Sequence, residues 1–206
     1  MAILPSGYTQ LEYIESTGTQ YILTNIIPTN LTRLEAKVST TQSSSCGMVV
    51  CDKTWQSKGY GIWGNAVALG NQTSQDVNLY DGNIHTVLID SQKIYIDGNL
   101  VLTYSGSSFS GVCPISIFAL NRNGSIIEKT SMKLFELNID ENTFIPCISN
   151  NEEICLYNSF TKTKLLNNGT GSFIAGPEVV QPNMYVKINN IWQPVTGVYT
   201  KTNNIW

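Results

Sequence analysis

A chain of 206 residues, 42 % hydrophobic and only 13 % charged, is long enough to bury a substantial core, and its polar surface comes from Ser, Thr, Asn and Gly. The net charge of −3 and the lack of any basic run argue against nucleic acid, because neutralising phosphates takes clustered Lys and Arg. No stretch of about 18 apolar residues is present to cross a bilayer as a helix, so membrane insertion is not expected.

The first residues, Met1 to Gly7, lack a charged start and a long apolar run, so no signal peptide is expected. Further on, the period of the pattern is two. Arg33, Glu35 and Lys37 alternate with Leu34, Ala36 and Val38, which predicts a strand with one wet and one dry face. Met48 to Cys51 reads as a deeply buried strand. Between Asp52 and Trp63 the aromatic residues Trp55, Tyr60 and Trp63 lie among polar groups. Aromatic faces stack on sugar rings while Asp, Asn and Gln bond hydroxyls, so these three residues are the predicted glycan site, with Trp55 the better candidate for exposure and Trp63, between Ile62 and Gly64, more readily read as core.

Turn signals follow at Gly64-Asn65 and Gly70-Asn71, and Asp81-Gly82-Asn83 then opens a strand from Ile84 to Asp90. Lys93 to Val101 is a predicted hairpin. Ile94 and Ile96 alternate with Tyr95 and Asp97, and Asp97-Gly98 supplies the turn, because glycine accepts positive φ without steric cost. Ile115 to Leu120 reads as one buried strand, and Asn121 to Gly124 as a turn. In the next strand Phe135, Leu137 and Ile139 alternate with Glu136, Asn138 and Asp140. Short strands punctuated at this spacing, with no convincing helix, predict an all-β sandwich or barrel.

The chain ends on a repeat. After the linker Glu178 to Asn183, the unit from Tyr185 to Trp192 (Y-V-K-I-N-N-I-W) returns from Tyr199 to Trp206 as Y-T-K-T-N-N-I-W. Each unit is a potential β-arch too short to bury its own Tyr and Trp, so it must pack on a neighbour. Residues 1–178 are therefore expected to form the main domain and residues 179–206 a docking or oligomerisation segment. Tyr185, Trp192, Tyr199 and Trp206 are its contact residues; a strand pair folded back onto the main domain is the plainer alternative.

Three separated motifs carry a resemblance. The opening stretch Leu4 to Ile22 (L-P-S-G-Y-T-Q-L-E-Y-I-E-S-T-G-T-Q-Y-I), the central pair D-G-N-I-H-T-V and Y-I-D-G-N-L-V, and the closing stretches F-I-P-C at Phe144 to Cys147, I-C-L-Y-N at Ile154 to Asn158 and G-T-G-S-F at Gly169 to Phe173 occur in order. Together they resemble laminin-G-like domains of bacteriophage and prophage virion proteins. Cys155 and Asn158 depart from that pattern, which has G-x-L-Y-D at the second closing stretch.

The resemblance implies a two-sheet antiparallel jelly-roll sandwich of concanavalin A type, followed by the short C-terminal β repeat. It also implies a virion structural protein: a tail, fibre or capsid-surface component made in the host cytoplasm and exposed on the particle. A role in adhesion through glycan binding is expected with it. Other virion proteins are the expected partners and a homotrimer the first guess for oligomeric state, phage fibres being commonly trimeric. A free bacterial carbohydrate-binding module or lectin is the competing expectation; it would have no need of an assembly repeat.

Chemistry is expected to be absent. The Glu-x-Asp-x-x-Glu motif of sandwich glycosidases does not occur, and a Ser-His-Asp triad would need His85, the single histidine, which has no Gly-x-Ser-x-Gly elbow to go with it. The resemblance gives His85 a packing and hydrogen-bonding role instead. No cofactor is expected; calcium, common in laminin-G-like domains, would need converging oxygens, and Asp52, Asp76 and Asp81 are scattered. The five cysteines, Cys46, Cys51, Cys113, Cys147 and Cys155, are expected to be small buried hydrophobes, with a Cys46–Cys51 or Cys147–Cys155 bridge as the alternative.

Overall fold

The computed structural model describes residues 4–42, 47–52, 59–74, 77–179, 185–188 and 191–194. Among them there is no helix, and the strands form two large sheets and a separate hairpin. In space the larger sheet runs Asn99–Thr103, Lys93–Ile96, His85–Asp90, Leu34–Ser39, Ser131–Ile139, Asn142–Ile148, Ile154–Asn158 and Thr163–Leu165. Thr9–Gln10, Ile14–Thr17 and Ile174–Ala175 extend it at one corner. The smaller sheet runs Ser125–Ile127, Leu120–Arg122, Gly47–Asp52, Gly59–Trp63, Val67–Gly70 and Gln72–Ser74, and Ser116–Ile117 joins it to Ile22–Leu23. All pairs are antiparallel except Leu120–Arg122 with Gly47–Asp52.

The core lies between the two sheets and follows the two-residue period. Leu34, Ala36, Val38, Val87, Ile89, Leu134 and Leu137 from the larger sheet meet Val49, Ile62, Leu69 and Ile117 from the smaller. The result is an all-β, sandwich-like architecture. Burying alternate residues on each inner face leaves polar partners such as Glu35 and Lys37 on the other face, which is why so few charges suffice.

Three tight turns set the register of the outer strands. Asp97 and Gly98 have φ of 49° and 80°, and Asn123 and Gly124 have 50° and 92°, both the paired positive values of a two-residue type I′ hairpin. The link between His85–Asp90 and Lys93–Ile96 is a third, with Ser91 and Gln92 at 49° and 64°. Neither residue type announces such a turn, and the sequence shows there only a polar break.

Two strands differ from expectation. The apolar run from Ile115 to Leu120 is broken at Phe118, whose φ is +65°. Ser116–Ile117 therefore pairs antiparallel to Gly47–Asp52, whereas Leu120–Arg122 pairs parallel to the same strand. Ser116 Oγ fixes the reversal by donating to Val50 and Ala119 carbonyls. In Ser131–Ile139 the register shifts between Leu134 and Glu136, so Phe135 sits at a bulge. The extra residue swaps the phase: Leu134 takes the inner face and Phe135 packs outward on Tyr13, ring centres 5.1 Å apart.

Past the sandwich, backbone bonds continue to Val179, whose N–H donates to Gln10. In the terminal repeat Tyr185–Ile188 and Ile191–Pro194 pair as a hairpin, with Tyr185 opposite Pro194 and Lys187 opposite Trp192.

Candidate functional site

The opening and closing motifs form one joint. The loop from Asn167 to Ser172 lies against the turn from Thr17 to Leu23. Asn168 N–H donates to Tyr21 O at 2.8 Å, and Asn168 Oδ1 accepts from Leu23 N–H at 2.9 Å. Asn167 Oδ1 accepts from the amides of Tyr21 and Gly169, and its Nδ2 donates to Gly171 O. Gln20 completes the joint from the interior. Its Oε1 accepts from Thr17 N–H at 2.8 Å and from Ser16 Oγ, while its Nε2 donates to Ser172 O at 3.0 Å. A Cβ on Gly169 would lie 2.2 Å from Thr19 O, so only glycine lets the loop approach this closely.

Beside this joint lies an open cleft of about 430 Å³ between the Glu152–Ile154 turn and the loop from Leu166 to Phe173. Its polar groups are Glu152, Glu153, Asn167 and Ser172, and Ile154, Leu166 and Phe173 supply the apolar side. Lys164 pairs with Glu153 and holds its carboxyl below the usual value. Glu152 is exposed, with φ of 61°, and among the described residues its carboxylate has no hydrogen-bond or ion-pair partner, so it can accept hydroxyls. Convergent carboxylate and amide groups beside a partly apolar wall can hold a polyhydroxylated ligand.

The aromatic site expected from the sequence is not assembled as such. Gly59–Trp63 is a central strand buried on both faces, flanked by Gly47–Asp52 and Val67–Gly70. Tyr60 is fully buried in the main core, and its hydroxyl donates to Thr32 O at 2.9 Å. Burial pushes its phenol well above the ordinary value, so the hydroxyl stays protonated. Trp63 packs on the opposite face with Val50, Ala66, Ala68 and Leu120. Neither ring presents a face to a sugar, which corrects the assignment of Tyr60 and Trp63 as ligand-binding residues. Trp55 lies outside the described residues, as do Tyr199 and Trp206; Tyr185 and Trp192 are placed by their backbone in the terminal hairpin.

His85 bridges two turns. Its Nδ1 lies 2.7 Å from Asp97 Oδ2 and its Nε2 lies 2.9 Å from Asp81 Oδ1. Two carboxylates can both be satisfied only if both ring nitrogens carry protons, so the geometry is that of an imidazolium. Burial pulls the His85 pKa down, but the bonds to Asp97 and Asp81 outweigh it and leave it raised. The Asn83 amide and then His85 hold Asp81 down at about 2. Burial raises Asp97, but His85 and the Thr86 amide outweigh that and lower it.

The signs define a window. The raised His85 stabilises below its unfolded value of 6.5 and loses that contribution as pH rises through its folded value. The lowered carboxylates stabilise above 3.8 and lose it as pH falls towards about 2. The stability difference between wild type and His85→Asn is therefore expected to peak between these limits and shrink on both sides, measured as unfolding midpoint against pH. NMR titration of the single imidazole should give a pKa above 6.5; a value below it removes the basis for the window.

Among the described residues no group of three or more His, Cys, Asp and Glu side chains is arranged to hold a metal ion. No family model matches this chain, and neither the curated proteins nor the solved structures contain a match.

Proposed function

We propose that this chain is a structural component of a bacteriophage virion, from a tail, a fibre or the capsid surface, with a weak glycan-binding role. On this reading the sandwich is a laminin-G-like, concanavalin A-like jelly roll that faces outward, and the terminal repeat docks on other virion proteins or on copies of the chain. The observation that best supports it is the joint between residues 17–23 and 167–172. The two outer motifs that carry the family resemblance bond to each other there, across 146 and 152 residues of sequence. Motifs that interlock in space are parts of one structural unit, which a chance match would not require.

Protein mass spectrometry of purified particles is expected to detect the chain. Truncation after Val179, the last described residue bonded to the sandwich, is expected to leave a folded monomer by light scattering, absent from particles. The full chain is expected to be an oligomer, a homotrimer first. Absence of the full chain from particles overturns the virion role and leaves the free lectin as the better reading.

Glycan contact is assigned to the cleft at Glu152 and Asn167. One site of this kind binds at roughly millimolar strength, and display in several copies raises the apparent affinity by about 10²-fold. Glu152→Gln is expected to lower the glycan-array signal of a multivalent display without moving the unfolding midpoint, because Glu152 is exposed. Trp55→Ala tests the aromatic residue the sequence pointed to. A silent array with the wild-type multimer rules out the glycan role.

A further inference from the structure

The closing strands carry two cysteines whose placement no part of the proposed function uses. Cys147 and Cys155 stand directly opposite each other in the ladder between Asn142–Ile148 and Ile154–Asn158. Their sulfur atoms are 3.5 Å apart and both residues are fully buried. We propose that Cys147 and Cys155 are an oxidisable pair that a peroxide converts into a cross-strand disulfide, stapling the two strands on the outer face of the larger sheet.

Backbone geometry permits the bond. Ser149 N–H donates to Glu153 O at 2.9 Å, so the alternation of an antiparallel ladder puts Cys147 and Cys155 at a hydrogen-bonded pair. The Cα atoms of such a pair are about 5.5 Å apart, inside the range of about 4.4–6.8 Å that disulfides span. Side-chain rotation alone can then bring the sulfurs together, and no strand has to slide.

Location gives access. Leu156, Ile148 and Ile154 face the main core, whereas the cysteines and Tyr157 point the other way into a small separate cluster. Its cover is the short segment carrying Leu4 and Tyr8, with Tyr8 edge-on to Tyr157 at 5.6 Å. Lifting this one segment exposes the sulfurs without opening the core, and such local openings cost less than global unfolding.

The two thiols also divide the chemistry. The hydrogen bond between the two sulfurs holds Cys155 below its usual value; burial opposes this and Lys164 assists it. The Cys155 thiolate attacks hydrogen peroxide, the O–O bond breaks, and Cys155 sulfenic acid and hydroxide form. Cys147 then attacks the sulfenic sulfur, the S–O bond breaks, and the disulfide and water are released. Two thiols lose two electrons and two protons, and one peroxide becomes two waters.

The test uses the full chain, reduced and then treated with hydrogen peroxide without denaturant. Alkylation after unfolding is expected to label three cysteines instead of five, and non-reducing peptide mapping to find the 147–155 link. The closed loop is short, so the unfolding midpoint is expected to rise by about 5 °C and to fall back with a thiol reductant. In Cys155→Ala peroxide is expected to leave the midpoint unmoved; should that variant not fold, the wild-type map decides alone. Five labelled cysteines, a link between other cysteines, or sulfinic acid at Cys147 or Cys155 without a link overturns the proposal.

Discussion

Gly61→Ala is expected to unfold the sandwich, or to leave it only marginally folded. Gly61 sits mid-strand in Gly59–Trp63, opposite Val50, with φ of +135°. A Cβ there would lie 2.2 Å from Val49 O and 2.7 Å from Val50 Cα. Both are backbone atoms of a strand held on its other edge by Ser116–Ile117 and Leu120–Arg122, so neither can swing aside as a side-chain tip could.

The backbone conformation alone costs an L-residue about 1–3 kcal/mol, and overpacking a filled core costs about 1–3 kcal/mol more. The sum of about 2–6 kcal/mol is a large part of the about 5–15 kcal/mol that holds a domain together. Gly98→Ala separates the two contributions. Gly98 also has positive φ, +80°, but a Cβ there meets nothing within 4 Å. Urea unfolding of both variants is the measurement, with Gly98→Ala losing about 1 kcal/mol. Equal losses from the two variants would show that the close approach at Gly61 does not exist.

The contrast between these glycines also shows how far the sequence could be read. Asp97-Gly98 is legible because the turn is local: two residues determine it and two β-branched runs flank it. Gly61 is not, since its constraint comes from Val49 and Val50 on another strand. The same holds for the aromatic residues. Between Asp52 and Trp63 the aromatic residues lie among polar groups, which admits a ligand-stacking site even where Trp63 itself reads as core. Burial on both faces was decided by the strands on either side and by where Leu120 crosses, and a window of ten residues carries no sign of either. The break at Phe118 is hidden for a related reason: an unbroken apolar run shows no turn residue, and Ser116, the residue that fixes the reversal, is as common in strands. The cleft at Glu152 and Asn167 escaped for want of any motif at all. Only its G-T-G-S-F side was visible, and the long-range fold brings Glu152 to it.

Gln20→Leu is the second substitution expected to have a large effect, because it cuts that joint while preserving volume. Gln20 is 2 % exposed, and its amide bonds both halves from the interior. Leucine leaves Thr17 N–H and Ser16 Oγ without the Oε1 acceptor and Ser172 O without the Nε2 donor. Stranding the buried Ser16 hydroxyl costs about 1–3 kcal/mol and the partly buried Thr17 N–H and Ser172 O cost less each, so a loss of about 2–4 kcal/mol is expected. The loss is capped if the loop detaches and lets water in. The remaining bonds from Asn167 and Asn168 then decide between local opening and global unfolding. Hydrogen exchange distinguishes the two. Local opening removes protection from Asn168 and Thr170, whose amides bond Tyr21 and Thr19, and leaves Gly59–Trp63 protected. Glycan-array signal is expected to fall in the same variant, since Asn167 and Ser172 line the cleft. Unchanged protection at Asn168 and Thr170, together with an unfolding free energy in urea within about 0.5 kcal/mol of wild type, would mean that Gln20 does not hold the two motifs together.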